Sequence, residues 1–142
     1  MKRLPNWQPL LATQIEKAKR SKFEWGVFDC ALAACDAVLA MTGEDPGATY
    51  RGKYKTQAEA DALIRSDLGT FAATVAASIG AKEVPKLFAR RGDIVLVNNA
   101  QPGTRTTALG FVDLSGRFAL CASDKGLARI SMGRWLRAWR IG

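Results

Sequence analysis

One cysteine stands where nucleophilic chemistry is possible. Asp29-Cys30 closes the run Phe23-Glu24-Trp25-Gly26-Val27-Phe28 and opens Ala31-Leu32-Ala33-Ala34-Cys35-Asp36. The change of composition predicts a loop turning into an apolar helix. Asp29 suits the N-cap, where its carboxylate accepts free backbone N–H groups of the first turn. Cys30 then takes the first helical position, and the positive end of the helix dipole favours a thiolate there. A thiolate so placed is an acyl-transfer nucleophile, provided that a general base stands beside it. The base is the difficulty: the chain contains no histidine. A Cys–His pair cannot be built.

The other two cysteines, Cys35 and Cys121, add no second centre. Cys35 lies five positions after Cys30, points to another side of the helix and reads as a small core residue. Three cysteines without CxxC spacing and without histidine fit no common zinc pattern, so neither a metal nor a cofactor is expected. Met1-Lys2-Arg3 is followed by no apolar leader, and no segment approaches the roughly 18–20 apolar residues that cross a bilayer. Free thiols in a reducing cytoplasm are therefore expected, with no membrane span.

Positioning these residues falls to a chain of 142 residues, which reads as a single domain over 1–142. Its 48% hydrophobic content supplies a core, and 24% charged residues is ordinary for a folded protein. The net charge of +8 attracts acidic partners. The basic residues are dispersed in small groups, however, and no nucleic-acid motif is visible. A specific nucleic-acid role is not expected.

Residues 1–8 read as an irregular arm anchored by Trp7. Pro9 suits a helix start, with Leu10, Leu11, Ile15 and Ala18 at helical spacing and an end near Lys19 to Ser21. The second helix runs from about Asp29 to Met41, is apolar nearly all round and stops at Gly43. Inside it, Asp36 is expected to bond polar groups of the loop from Arg51 to Tyr54, for example as an ion pair with Arg51. Asp45-Pro46-Gly47 marks the turn of a loop over 44–55. Thr56-Gln57-Ala58-Glu59 is a capping box that starts a third helix, running to about Leu68. Gly69-Thr70 breaks it, and a short fourth helix follows over Phe71–Ser78.

The character of the chain changes after Pro85. Strands are expected at Ile94–Val97, Thr107–Val112, Arg117–Cys121 and Gly126–Met132, with a polar loop over 98–105. The terminal Trp135-Leu136-Arg137-Ala138-Trp139-Arg140-Ile141 fits a helix by its four-residue Trp spacing and a strand by alternation; a strand is favoured. Helices first and an antiparallel sheet afterwards define an α+β fold, with N-terminal helices packed on a C-terminal sheet.

A cysteine opening a buried helix, Gly92-Asp93 ahead of the first strand and Leu109-Gly110 in the second together resemble the NlpC/P60 and CHAP branch of the papain-like superfamily. Those proteins cleave peptide or amide bonds, often in bacterial cell walls. The pattern Phe23-x-Trp25-Gly26-x-x-Asp29-Cys30 is closer still to a family of small phage proteins encoded among tail genes. Thr42-Gly43, Arg51-Gly52-x-Tyr54 and Ala138-Trp139-Arg140 look similar to features of that family too. The resemblance implies that Cys30 is the nucleophile position and that the base position, a histidine in the enzymes, is Ala108. The orienting polar residue falls at Ser123 or Asp124.

Two functions follow as expectations. One is a phage tail or tail-tip structural or assembly protein, in which Cys30 is a vestigial or weak nucleophile. Its partners would be other tail proteins, and it would reside in the virion after synthesis in the host bacterial cytoplasm. Trp135, Arg137, Trp139 and Arg140 would then offer an assembly surface, since Trp and Arg are favoured interface anchors; core packing of a last strand explains the two tryptophans as well. The alternative is an active cysteine peptidase or amidase acting on peptidoglycan through Cys30.

Overall fold

The computed structural model describes residues 1–64, 67–99 and 107–142. These form four α-helices and a six-stranded antiparallel sheet, an α+β architecture. Helices α1 (Trp7–Lys19), α2 (Cys30–Thr42), α3 (Gln57–Leu63) and α4 (Leu68–Ser78) come first. Strands β1 (Lys82–Val84), β2 (Ile94–Asn98), β3 (Thr107–Val112), β4 (Phe118–Ser123), β5 (Gly126–Ser131) and β6 (Trp135–Arg140) follow.

Helix α2 is the axis of the core. Ten of its thirteen residues are buried, and it packs on α1, β3 and β4. Its alanines permit that close approach from several sides. Gly43 ends it in the left-handed conformation, φ +78°, with its N–H on the Leu39 carbonyl. The loop after it crosses back over α2 so tightly that a Cβ at Gly47 would lie 2.9 Å from Cys35 Sγ. Cys35 is accordingly a packed core residue.

The sheet order is β1-β6-β2-β3-β4-β5. The last strand thus inserts between β1 and β2, and its backbone is hydrogen-bonded to a strand on each side. This resolves the terminal segment as a strand. Ile94 faces Trp139 and Val95 faces Ala138; the register then shifts, so that Val97 faces Trp135 and Leu136 is left exposed. Such a bulge lets one strand carry an extra residue without breaking the ladder.

Three boundaries differ from the sequence expectation. Trp7 is the first residue of α1, not part of an arm. The capping box at Thr56 does start α3, Thr56 Oγ1 accepting from Glu59 N at 3.1 Å, but that helix ends at Leu63 instead of Leu68. Helix α4 begins before Gly69-Thr70, because Asp67 caps it: one carboxylate oxygen accepts from Thr70 N at 3.0 Å and the other from Thr70 Oγ1 at 2.6 Å. The supposed breakers sit in its first turn. Strand β1, unforeseen, is an edge strand of three residues whose exposed side chains carry no alternation. Within the expected polar loop, 100–105 lie outside the described residues.

Asp93 closes the fold. It is fully buried, and its carboxylate accepts four donors. Oδ1 takes Arg3 Nη2 at 3.1 Å and Ile141 N at 3.0 Å; Oδ2 takes Arg140 Nε at 3.1 Å and Arg90 N at 2.9 Å. One carboxylate therefore ties the N-terminal arm, the start of β2 and the end of β6 together. Gly92 precedes it at φ +84°, where a Cβ would meet Met41 Sδ at 2.5 Å. The Gly-Asp pair is thereby explained by packing and charge satisfaction.

Candidate functional site

The residues before α2 form a compact loop. Glu24 and Phe28 bridge to each other through backbone hydrogen bonds, and Phe23 meets Trp25 edge to face at 4.7 Å between ring centroids. Asp29 has extended backbone and caps α2: its Oδ1 accepts from Leu32 N at 2.9 Å. Its Oδ2 accepts from Gly26 N at 3.0 Å and from the Tyr54 hydroxyl at 2.6 Å. Asp29 and Tyr54 are each only 1% exposed. The carboxylate is a structural hub with three donors, beyond the single cap legible in the sequence.

Gly26 is required by this arrangement. Its φ is +81°, and a Cβ would come within van der Waals exclusion of the Tyr54 carbonyl oxygen. Gly52 N donates to the Gly26 carbonyl at 2.9 Å. The segments Trp25-Gly26 and Arg51-Gly52-Lys53-Tyr54 are thus two halves of one lock. Burial first, and then the hydrogen bond to Asp29, raise the Tyr54 hydroxyl well above the ordinary tyrosine range.

The ion pair expected of Asp36 forms, with Arg51 Nη1 2.7 Å from Asp36 Oδ1. Arg51 also holds Asp45 with two bonds, at 2.8 and 3.1 Å. Burial raises Asp36 despite its partner. For Asp45 burial acts in the same direction, but the bonds from Arg51 and Gly47 N outweigh it and hold the carboxyl below its usual range. Arg51 fixes the loop over α2 and so fixes Tyr54 beneath Asp29.

Cys30 is the first residue of α2 and is 6% exposed. Ala108 lies in β3, buried, opposite Val97. Strand β3 pairs with β4 through Phe111 opposite Leu120 and Val112 opposite Ala119. Ser123 Oγ accepts from Lys125 N at 3.2 Å, closing the β4–β5 turn, and Asp124 is exposed in that turn. Of the two orienting candidates, Ser123 is the last residue of β4 and Asp124 lies in the turn after it.

Cys121 lies in β4, near enough to Cys30 for their charges to interact. Its thiol is buried; burial raises it, and the charge of a Cys30 thiolate would raise it further. A Cβ at Gly110 would lie 2.6 Å from Cys121 Sγ and 2.7 Å from the Leu120 carbonyl. The Leu109-Gly110 pair thus has a packing reason: glycine makes room for the next strand.

Of the two readings open for the C-terminal tryptophans, core packing holds and the assembly surface does not. Trp135 and Trp139 are 0% and 2% exposed, and Trp135 Nε1 donates to the Ile130 carbonyl at 3.1 Å. Central placement of β6 puts both in the core, so neither presents an interface. Arg137 pairs with Glu83 through bonds of 3.0 and 2.7 Å and lies over Trp139; Arg140 is held by Asp93 and the Phe88 carbonyl. Both arginines serve the fold first.

Fold and site together define an α+β domain with a cysteine opening a buried, carboxylate-capped helix. The chain belongs to the family described as a domain of unknown function, DUF6950, whose profile matches residues 2–141. No curated protein and no solved structure matches it.

Proposed function

We propose that this chain is a structural or assembly component of a phage tail or tail tip, built on an NlpC/P60-like scaffold that has lost its catalytic base. The observation that carries the reading is the pairing of a helix-start Cys30 with a chain that has no histidine; the resemblance assigns the base position to Ala108. General-base assistance contributes about 10²–10⁴ in rate. The leaving amine also needs a proton, which an imidazolium supplies in cysteine and serine peptidases. The Asp29 carboxylate next to Cys30 is committed to Leu32, Gly26 and Tyr54, so it does not stand in. The phage assignment rests on the resemblance of Phe23-x-Trp25-Gly26-x-x-Asp29-Cys30, whose glycine and aspartate have the structural uses described above.

The test is genetic and biochemical, in the phage that encodes the chain. Mass spectrometry of purified particles and of tail intermediates should detect the protein, and Cys30→Ala should leave the infectious titre unchanged. Normal tails formed without the protein would overturn the assembly role. A folded Cys30→Ala variant that loses infectivity, together with release of peptides from peptidoglycan by the wild type alone, would establish the cysteine peptidase alternative.

A further inference from the structure

A second feature lies away from Cys30, where the two ends of the chain meet the start of β2. Arg3, Arg90, Arg91 and Arg140, with Trp7 and Gly142, line an open hollow of about 280 Å³. Asp93 is the acid in contact with these arginines, and its two oxygens are already filled by Arg3, Arg140 and the N–H groups of Arg90 and Ile141. Arg3 is further held by the Ile141 carbonyl at 2.6 Å and lies 4.2 Å from the Trp7 ring centroid. The exposed guanidinium groups of Arg90 and Arg91 have no carboxylate partner among the described residues. Four cations thus surround one neutralising carboxylate. Two charges remain in excess even when a carboxylate at Gly142 is counted. The mutual repulsion is felt by Arg3, whose pKa is lowered by burial and by the charges of Arg90 and Arg140.

Beside the hollow stands an apolar shoulder. Leu87 and Phe88 are 68% and 66% exposed on the one-turn helix Lys86–Phe88, and the Phe88 carbonyl accepts from Arg140 Nη2 at 2.7 Å. The same short segment therefore carries two large apolar side chains in water and then two arginines without a carboxylate partner among the described residues, the Arg91 guanidinium lying 5.7 Å from the Trp7 ring centroid. A free oxyanion would use the arginines and leave Leu87 and Phe88 in water. A peptide with acidic and apolar side chains would use both, the apolar contact contributing roughly 25 cal/mol for each Å² removed from water. Planar guanidinium groups match carboxylates bidentately.

We infer that this face is a docking site for an acidic, apolar-containing segment of a partner protein, with Arg90 and Arg91 gripping its carboxylates and Leu87 and Phe88 packing its apolar side chains. The inference goes beyond the assembly reading, because the site would bind whatever Cys30 does. The geometry is complementary in charge and does not involve the helix-start cysteine.

The test pans a random peptide library on the full-length protein and measures the affinity of the best peptide by fluorescence anisotropy. Enrichment of peptides combining Asp or Glu with Leu, Phe or Trp is expected. The double charge reversal Arg90→Glu/Arg91→Glu should weaken the best peptide about tenfold or more, and Leu87→Ser/Phe88→Ser about fivefold. Lys53→Glu/Lys55→Glu, equally exposed and elsewhere on the surface, should leave it unchanged. All four altered side chains of the first two variants are exposed, and circular dichroism checks that each variant folds. The inference is overturned if no such peptides are enriched, or if the Lys53/Lys55 variant weakens binding as much as the Arg90/Arg91 variant, which would mean attraction to net charge alone. It is overturned too if inorganic phosphate displaces the peptide and Leu87→Ser/Phe88→Ser has no effect, which would mark a simple oxyanion site.

Discussion

The hydroxyl of Tyr54 donates a 2.6 Å hydrogen bond to the carboxylate of Asp29, joining the loop over α2 to the cap that starts it. Both groups are buried, so the bond is made in a medium where an unmade one is costly. It ties the geometry at Cys30 to a residue that lies 25 positions further along the chain.

Tyr54→Phe tests this bond directly. Hydrogen bonds to charged groups contribute about 1.5–3 kcal/mol, and urea denaturation should show a loss of that size. The pH dependence has a definite sign. The folded-state pKa of Tyr54 is raised, whereas the unfolded tyrosine titrates near about 10. Its contribution to stability is complete below that pH and is lost as pH climbs toward the folded value. Wild-type stability should therefore fall more steeply than that of Tyr54→Phe above about pH 10. Parallel curves would show that the hydroxyl is not held as described.

Asp93→Ala removes the acceptor that Arg3, Arg140 and two backbone N–H groups share. Breaking a buried pair from one side costs about 3–5 kcal/mol, and here it strands two cations. A fall in unfolding free energy of that order is expected by denaturant titration. Arg3→Ala should cost clearly less, because Arg140 and both N–H groups still satisfy the carboxylate. Equal costs for the two variants would refute the shared-acceptor description.

How much of this was legible beforehand depends on the range of each interaction. Asp29, the apolar run after it and Gly43 lie within one helix, and α2 was readable from them. The strand nature of Trp135 to Arg140 was readable by alternation, but its insertion between β1 and β2 was not, since nothing local reports a neighbour. That insertion is what places Trp135 and Trp139 in the core, in keeping with the core-packing reading of the two tryptophans. Gly69-Thr70 misled because their breaking tendency was weighed without Asp67, whose side chain holds Thr70 in a helical turn. Tyr54 was part of a quoted motif, yet its partner lies too far along the chain for spacing to reveal. Asp93 was quoted likewise, and its four donors come from three separate segments. The candidate site was thus readable as a capped helix start bearing a cysteine in a chain without histidine; the lock of Asp29 with Gly26 and Tyr54 was not.

Gly110→Ala probes the contact between β3 and β4. The added Cβ would meet both the Cys121 thiol and the Leu120 carbonyl. Overpacking of this kind costs about 1–3 kcal/mol, to be read from thermal or urea unfolding. Cys121→Ala in the same chain should recover only part of the loss, because the backbone carbonyl at 2.7 Å stays in place. Full recovery would show that the thiol was the sole obstacle.

The three thiols give the sharpest separation between a relic and an active site. All are buried, and burial pushes Cys35 up to about 12 and raises Cys121 as well. Iodoacetamide reacts with thiolates, so at about pH 8 these two should label only through opening of the fold. Peptide mass spectrometry after timed labelling would follow each cysteine separately. The assembly reading expects Cys30 to label slowly also, since it is 6% exposed at the foot of a locked helix cap. Tyr54→Phe should speed labelling at Cys30 more than at Cys121, because it loosens the cap and leaves β4 untouched. Rapid labelling of Cys30 alone in the wild type, with an apparent pKa well below the ordinary thiol value of about 8.5, would mean an activated nucleophile. That outcome would move the weight of the argument to a peptidase and to a base supplied by another chain.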